Sequence, residues 1–147
     1  MVLRGNSPAK VDAQGRLKIP TLHRKVLEEE YGSEVFVTSV NGESVLIYPL
    51  SEWEKIEAKL LEAPKMRPEK IKFMRNTSYY GQVARIDKQG RVVIQSHLRE
   101  AASINGDVAV IGYLGHLEVW NHNKFVKQLE SDPYTREDAI ALAELGI

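Results

Sequence analysis

The chain has 147 residues, 43% of them hydrophobic, with 20 basic and 20 acidic side chains and no cysteine. That length supports one domain or two very small ones, and the apolar fraction allows a packed core. Disulfides, thiolate metal sites and a cysteine nucleophile are excluded, no run is apolar enough for a membrane span, and a zero net charge argues against indiscriminate nucleic-acid binding.

In chain order, the opening Met1–Asn6 lacks the apolar stretch of a secretory signal, so the cytoplasm is the expected compartment. Val11–Ile19 reads as a hairpin, with Asp12-Ala13-Gln14-Gly15 a type I turn closed by a glycine at positive φ. Thr21 to Tyr31 reads as a helix stopped by Gly32. Two strands, Val35–Val40 and Ser44–Tyr48, flank Asn41-Gly42, a hairpin signal. Ser51-Glu52-Trp53-Glu54 reads as a capping box that opens a helix to about Leu61. Pro64 and Pro68 mark a connector, and Pro68 predicts a short basic helix over 68–77. Beyond it the pattern of strand, turn, strand and helix starts again. After residue 130, Thr135-Arg136-Glu137-Asp138 predicts a capped helical tail.

The restart is an internal repeat. Val11-Asp12-Ala13-Gln14-Gly15-Arg16-Leu17-Lys18-Ile19 recurs as Ile86-Asp87-Lys88-Gln89-Gly90-Arg91-Val92-Val93-Ile94. Arg24 then matches Arg99, Val35-Phe36-Val37 matches Val108-Ala109-Val110, Val45–Tyr48 matches Leu117–Trp120, and Trp53 matches Phe125. The predicted organisation is a unit at 1–62, a basic helical connector at 63–77, a second unit at 78–130 and a helical tail at 131–147. A unit this small buries only a thin core. Two of them, hairpins interleaved about a pseudo-two-fold axis, complete one another. The expected fold is therefore α+β, a single β-barrel-like domain with flanking helices.

Charge follows the repeat. Residues 1–25 hold six basic and one acidic group, 26–64 two and nine, 65–91 eight and two, and 92–147 four and eight. Both hairpins lie in the basic blocks. Alternation along each strand sets Arg16 and Lys18 on the face opposite Leu17 and Ile19, and Arg91 opposite Val92 and Ile94. Just before the turns, Lys10 and Arg85 add positive charge beside Asp12 and Asp87. A two-stranded ribbon fits the DNA major groove, where an arginine bonds guanine bidentately or clamps phosphate, and its basic flanks supply the sequence-independent attraction. A single Asp-x-x-Gly-Arg is ordinarily only a turn; the doubling gives it weight.

Catalysis has less support. Asp12 and Asp87 occupy turn-forming positions with Gly15 and Gly90, which accounts for them without chemistry. His23, His97, His116 and His122 are scattered, and His116 and His122 have no acidic or thiol partner at metal-ligand spacing. Gly112-Tyr113-Leu114-Gly115 lacks the lysine and helix of a phosphate loop. The recurring aromatics Tyr48, Trp53, Trp120 and Phe125 suit core packing. No enzyme, cofactor, metal or small-molecule substrate is expected.

The doubled Asp-x-x-Gly-Arg, Arg4-Gly5 and Tyr48-Pro49-Leu50-Ser51-Glu52-Trp53 together resemble the MraZ family, of the AbrB/SpoVT-like swapped-hairpin superfamily, over about residues 1–130. The resemblance implies a transcriptional regulator, read as a repressor, of the bacterial division and cell-wall gene cluster. Such a protein associates with the nucleoid and binds short tandem repeats in promoter double-stranded DNA as a homo-oligomer, a closed ring. It implies Arg16 and Arg91 as first-rank DNA contacts, Lys10, Lys18, Arg85 and Lys88 as second-rank, and Arg4 as third. Two departures stand out. Gln14 and Gln89 occupy a position where many relatives are basic, and glutamine reads adenine edges but releases no counterion. Gln95 stands where the first unit has Pro20. Alternatives are an antitoxin of the same superfamily, which wraps a toxin, and a structural interaction module whose arginines only pair with Asp12 and Asp87.

Overall fold

The structure, a computed structural model, describes residues 2–147, which form eight strands and six helices. Along the chain these are β1 (Leu3–Val11), β2 (Arg16–Lys18), α1 (Thr21–Glu30), β3 (Glu34–Thr38), β4 (Val45–Pro49), α2 (Leu50–Glu62) and α3 (Pro68–Tyr80). The second half supplies β5 (Gln82–Arg85), β6 (Arg91–Val93), α4 (Ser96–Ala101), β7 (Gly106–Leu114), β8 (Leu117–Asn121), α5 (His122–Ser131) and α6 (Arg136–Ala143).

All strands join one antiparallel sheet in the order β5-β3-β4-β8-β7-β1-β2-β6. Its two end strands meet at the second turn, where the Asp87 amide donates to the Arg91 carbonyl at 2.9 Å, so the sheet nearly closes into a barrel. Neither half completes its own sheet. β1 lies on β7, from Leu3↔Leu114 to Val11↔Gly106, and β5 lies on β3, from Glu34↔Arg85 to Val37↔Gln82. The equivalent strands pair with each other: β2 with β6 around Leu17↔Val92, and β4 with β8 around Leu46↔Glu118. A pseudo-two-fold axis therefore passes through both of those residue pairs. The expected interleaved α+β barrel is the observed fold.

Alternation fills the interior. Leu17, Ile19, Val92 and Ile94 of the two hairpins, with Val35, Val37, Val45, Ile47, Val108, Val110, Leu117 and Val119, form one buried cluster. Leu27 and Leu98 close it from α1 and α4. The repeated aromatics pack in equivalent pairs, Tyr48 on Trp53 at 5.1 Å and Trp120 on Phe125 at 5.3 Å between ring centroids.

Three local expectations are corrected. Helix α2 is capped by Pro49, without a side-chain cap, and not by Ser51. Pro49 is still paired to Val35 in the sheet, so the strand's position sets where the helix starts. The Asn41-Gly42 turn belongs to a longer connection, since β3 stops at Thr38 and β4 begins at Val45. The connector helix α3 runs on to Tyr80, directly into β5. The capping box at Thr135 and Asp138 is present as expected.

Candidate nucleic-acid interface

Each Asp-x-x-Gly-Arg segment builds the same turn. The Gly15 amide donates to the Asp12 carbonyl and the Gly90 amide to the Asp87 carbonyl, both at 3.0 Å. Gly15 at φ +80° and Gly90 at φ +78° take the left-handed conformation that reverses the chain. Asp12 Oδ1 accepts from the amides of Gln14 and Arg16, both at 2.9 Å, and Asp87 Oδ1 accepts from Gln89 at 2.8 Å and Arg91 at 2.9 Å. These amide bonds, the one from the arginine strongest in each case, hold both carboxyls below the usual carboxylate range. The second carboxylate oxygen accepts from the arginine Nε, at 2.8 Å for Arg16 and 3.1 Å for Arg91. Both guanidinium groups are thereby oriented, with about a third of each side chain exposed.

The interleaving merges the two hairpins into one ribbon. β2 and β6 run side by side with Arg16 opposite Val93 and Lys18 opposite Arg91. Leu17 and Val92 point inward and are buried, while Lys18 and Val93 are exposed on the outer face. Like charges directly opposed across strands cost stability. No ion pair to Lys18 offsets the Lys18–Arg91 opposition among the described residues.

The flanking cations differ in placement. Lys10 and Arg85 are equivalent and each faces a carboxylate across the sheet: Lys10 Nζ is 3.8 Å from Asp107, and Arg85 Nη2 is 3.7 Å from Glu34. Both pairs are well exposed, so they are worth little and a stronger anion can displace them. Arg85 also donates to Ser33 Oγ at 3.1 Å. Lys88 is exposed at the second turn; its counterpart in the first is Ala13. Gln14 and Gln89 are exposed at the tips. Arg4 is not with them. It sits near the far end of β1 opposite Tyr113, six residues from Lys10, or about 20 Å along a strand.

Two arginines that the sequence reading left without a role brace the turns, and they do so crosswise. Arg24 of α1 donates from Nη2 to the Lys88 carbonyl at 2.7 Å and from Nε to Glu28 at 2.8 Å. Arg99 of α4 donates from Nε to the Ile94 carbonyl at 2.8 Å. Each lies over the glycine of the other half's turn: a Cβ on Gly90 would meet Arg24 at 2.8 Å, and one on Gly15 would meet Arg99 at 2.6 Å. Reciprocal backbone bonds, Ile19 to the Gly90 carbonyl at 2.9 Å and Ile94 to the Gly15 carbonyl at 2.8 Å, complete the tie. The available signal was the recurrence of arginine eight residues after each hairpin arginine.

The histidines do not gather. His23 is fully buried, His116 stacks on Tyr48 at 4.3 Å, and His97 and His122 are exposed. Among the described residues no group of three His, Cys, Asp or Glu could hold a metal ion, and no helix is long and apolar enough to cross a membrane.

Comparison with known proteins places the chain among relatives of one family. A family model described as "MraZ protein, putative antitoxin-like" matches residues 2–76 and 82–143. A protein of Acidobacterium capsulatum named "Transcriptional regulator MraZ" is 48% identical over 146 residues, covering 99% of this chain and all of that one. Proteins with the same name from Koribacter versatilis and Syntrophobacter fumaroxidans are 44% and 40% identical, over 99% and 88% of this chain and 100% and 85% of their own lengths.

Proposed function

The chain belongs to the MraZ family, and from that premise we propose that it is a transcriptional regulator that lays the β2–β6 ribbon into the major groove of double-stranded DNA. The observation that carries this reading is the opposition of Lys18 and Arg91 beside Arg16 on an exposed ribbon. A purely structural module has no use for paired cations that repel one another; a polyanion turns the same arrangement into binding energy. The Asp12–Arg16 and Asp87–Arg91 pairs are what the structural alternative calls for. They also pre-orient two guanidinium groups, which lowers the entropy lost on binding.

In this reading Arg16 and Arg91 are the base or phosphate clamps, Lys18 and Lys88 are direct electrostatic contacts, and Lys10 and Arg85 engage phosphate by exchanging their carboxylates for it. Arg4, at the far end of β1, contacts DNA only where the duplex or a neighbouring subunit reaches that end. One ribbon of a neutral protein binds weakly. A homo-oligomeric ring presenting several ribbons to phased short tandem repeats raises avidity by roughly 10²–10⁴ without any new contact. The regulated genes are the division and cell-wall cluster, with repression as the mode. A cytoplasmic, nucleoid-associated location follows from the same reading, as does the division into two units at 1–62 and 78–130, joined at 63–77 and followed by a tail at 131–147.

The test is retention of the chain's own promoter duplex at low salt, followed by a salt titration. Arg16→Ala is expected to abolish the shift while fold and assembly persist. Lys18→Ala is expected to lower the slope of log affinity against log salt by about 0.9. Binding by Arg16→Ala as tight as that of the unmodified protein would overturn the ribbon assignment.

A further inference from the structure

The ribbon is two-fold in backbone but not in side chains. Its axis relates Arg16 to Arg91 and Gln14 to Gln89, so those readers are duplicated. The same operation relates Lys18 to Val93, and Ala13 to Lys88. Val93 is 52% exposed in the middle of a cationic face, directly across from Arg16. A lone exposed valine is ordinary. One occupying the position of a lysine's symmetry mate, on the surface proposed to meet DNA, changes what that half of the ribbon can contact. Lysine reaches phosphate or a guanine edge. Valine has no hydrogen-bonding group, and the apolar feature exposed in the major groove is the thymine 5-methyl.

We propose that Val93 is a specificity residue: its methyl groups pack on the 5-methyl of a thymine, on the side of the ribbon axis opposite Lys18. The recognised sequence is then asymmetric although its readers are nearly two-fold. That asymmetry gives each bound repeat a direction. A ring whose ribbons all bind in one direction selects repeats in tandem, whereas a symmetric ribbon accepts them in either orientation. This inference rests on the DNA-binding reading above.

The experiment is selection of bound duplexes from a random pool by the full-length protein, by Val93→Ala and by Val93→Lys, each checked for unchanged thermal unfolding. The unmodified protein is expected to select a non-palindromic core with thymine on one side. Replacing that thymine by deoxyuridine, which deletes only the methyl, should weaken binding about fourfold, the value of one buried methyl-sized group. Val93→Ala should lose most of that discrimination, and Val93→Lys should select a core closer to a palindrome. A palindromic core for the unmodified protein, or an equal deoxyuridine penalty in Val93→Ala, overturns the assignment to Val93. Failure of all three proteins to retain any duplex at low salt overturns the DNA-binding reading itself, whereas bound but unselective DNA leaves that reading standing and overturns only the assignment to Val93.

Discussion

His23 is fully buried, and among the described residues neither ring nitrogen has a hydrogen-bond partner of good geometry. Burial pushes its pKa down, opposed in part by the nearby Val110 backbone. The repeat supplies the control experiment, because the equivalent residue is Leu98, also fully buried. His23→Leu is therefore expected to stabilise the fold at neutral pH by about 1–3 kcal/mol, the usual cost of a buried polar group without a partner. The sign with pH follows from the direction of the shift. A histidine held neutral in the fold takes up its proton mainly when unfolded, so stability is lost as pH falls below about 6.5, the ordinary imidazole value. Asp12 and Asp87 act in a lower window: their carboxyls are depressed, so what they contribute is present above about pH 4 and disappears as they protonate. Thermal unfolding of His23→Leu should decline less between pH 7 and 5 than that of the unmodified protein, and the decline that remains belongs to His116, whose pKa burial also lowers. Parallel declines in the two proteins would show that His23 is not the titrating group.

At the scale of the element, the turns combine a local conformation with a remote brace. Gly15→Ala has to hold an L-residue at φ +80° and also to move the Arg99 guanidinium, 2.6 Å from the new Cβ. The guanidinium is the far end of a flexible side chain and can shift, so most of the cost is the left-handed backbone, about 1–2 kcal/mol. Chemical denaturation of Gly15→Ala and of Gly15→Ala/Arg99→Ala separates the contributions. The double variant is expected to lose less than the sum of the single losses, because the new methyl has already displaced Arg99; a loss equal to that sum would mean that Arg99 supports the altered turn as it does the native one. Much of this was legible in the sequence. Asp at the first turn position and Gly at the fourth fix the hairpin by local rules, and the repeat announces that there are two. What Arg24 and Arg99 do was not legible, because each acts on the turn of the other half, 64 residues away for Arg24 and Lys88. The start of α2 escaped for a related reason. Ser51 offers a good local cap, but the pairing of Pro49 with Val35 commits the chain to turn sooner. The Lys18–Arg91 opposition likewise depends on a register between distant strands, which neither strand's own pattern specifies.

For the whole molecule, the interleaved pairing makes a prediction about its halves. All nine register pairs of β1 with β7 cross from one unit to the other, as do the four of β3 with β5. A chain of residues 1–62 alone would keep β1 paired only with β2, around Val11 and Leu17, and would leave the edge of β1 that now meets β7 and the edge of β3 that now meets β5 open, with half of a thin core. The axis offers a remedy, since the same contacts can form between two copies. Leu17, now opposite Val92, would face Leu17 of the second copy; Leu46 would replace Glu118 in the other axial pair; and Lys10 would meet Glu34 where it now meets Asp107. Residues 1–62 are therefore expected to be folded only as a homodimer, with a midpoint of unfolding that rises with protein concentration. Fusion removes that dependence in the natural chain by making the second half an intramolecular partner, which also frees the two halves to diverge as Lys18 and Val93 have done. Sedimentation equilibrium with circular dichroism across a hundredfold concentration range decides the matter. A folded monomer of residues 1–62, unfolding at a midpoint independent of concentration, would mean that the unit is self-sufficient and that interleaving is not what holds the barrel together.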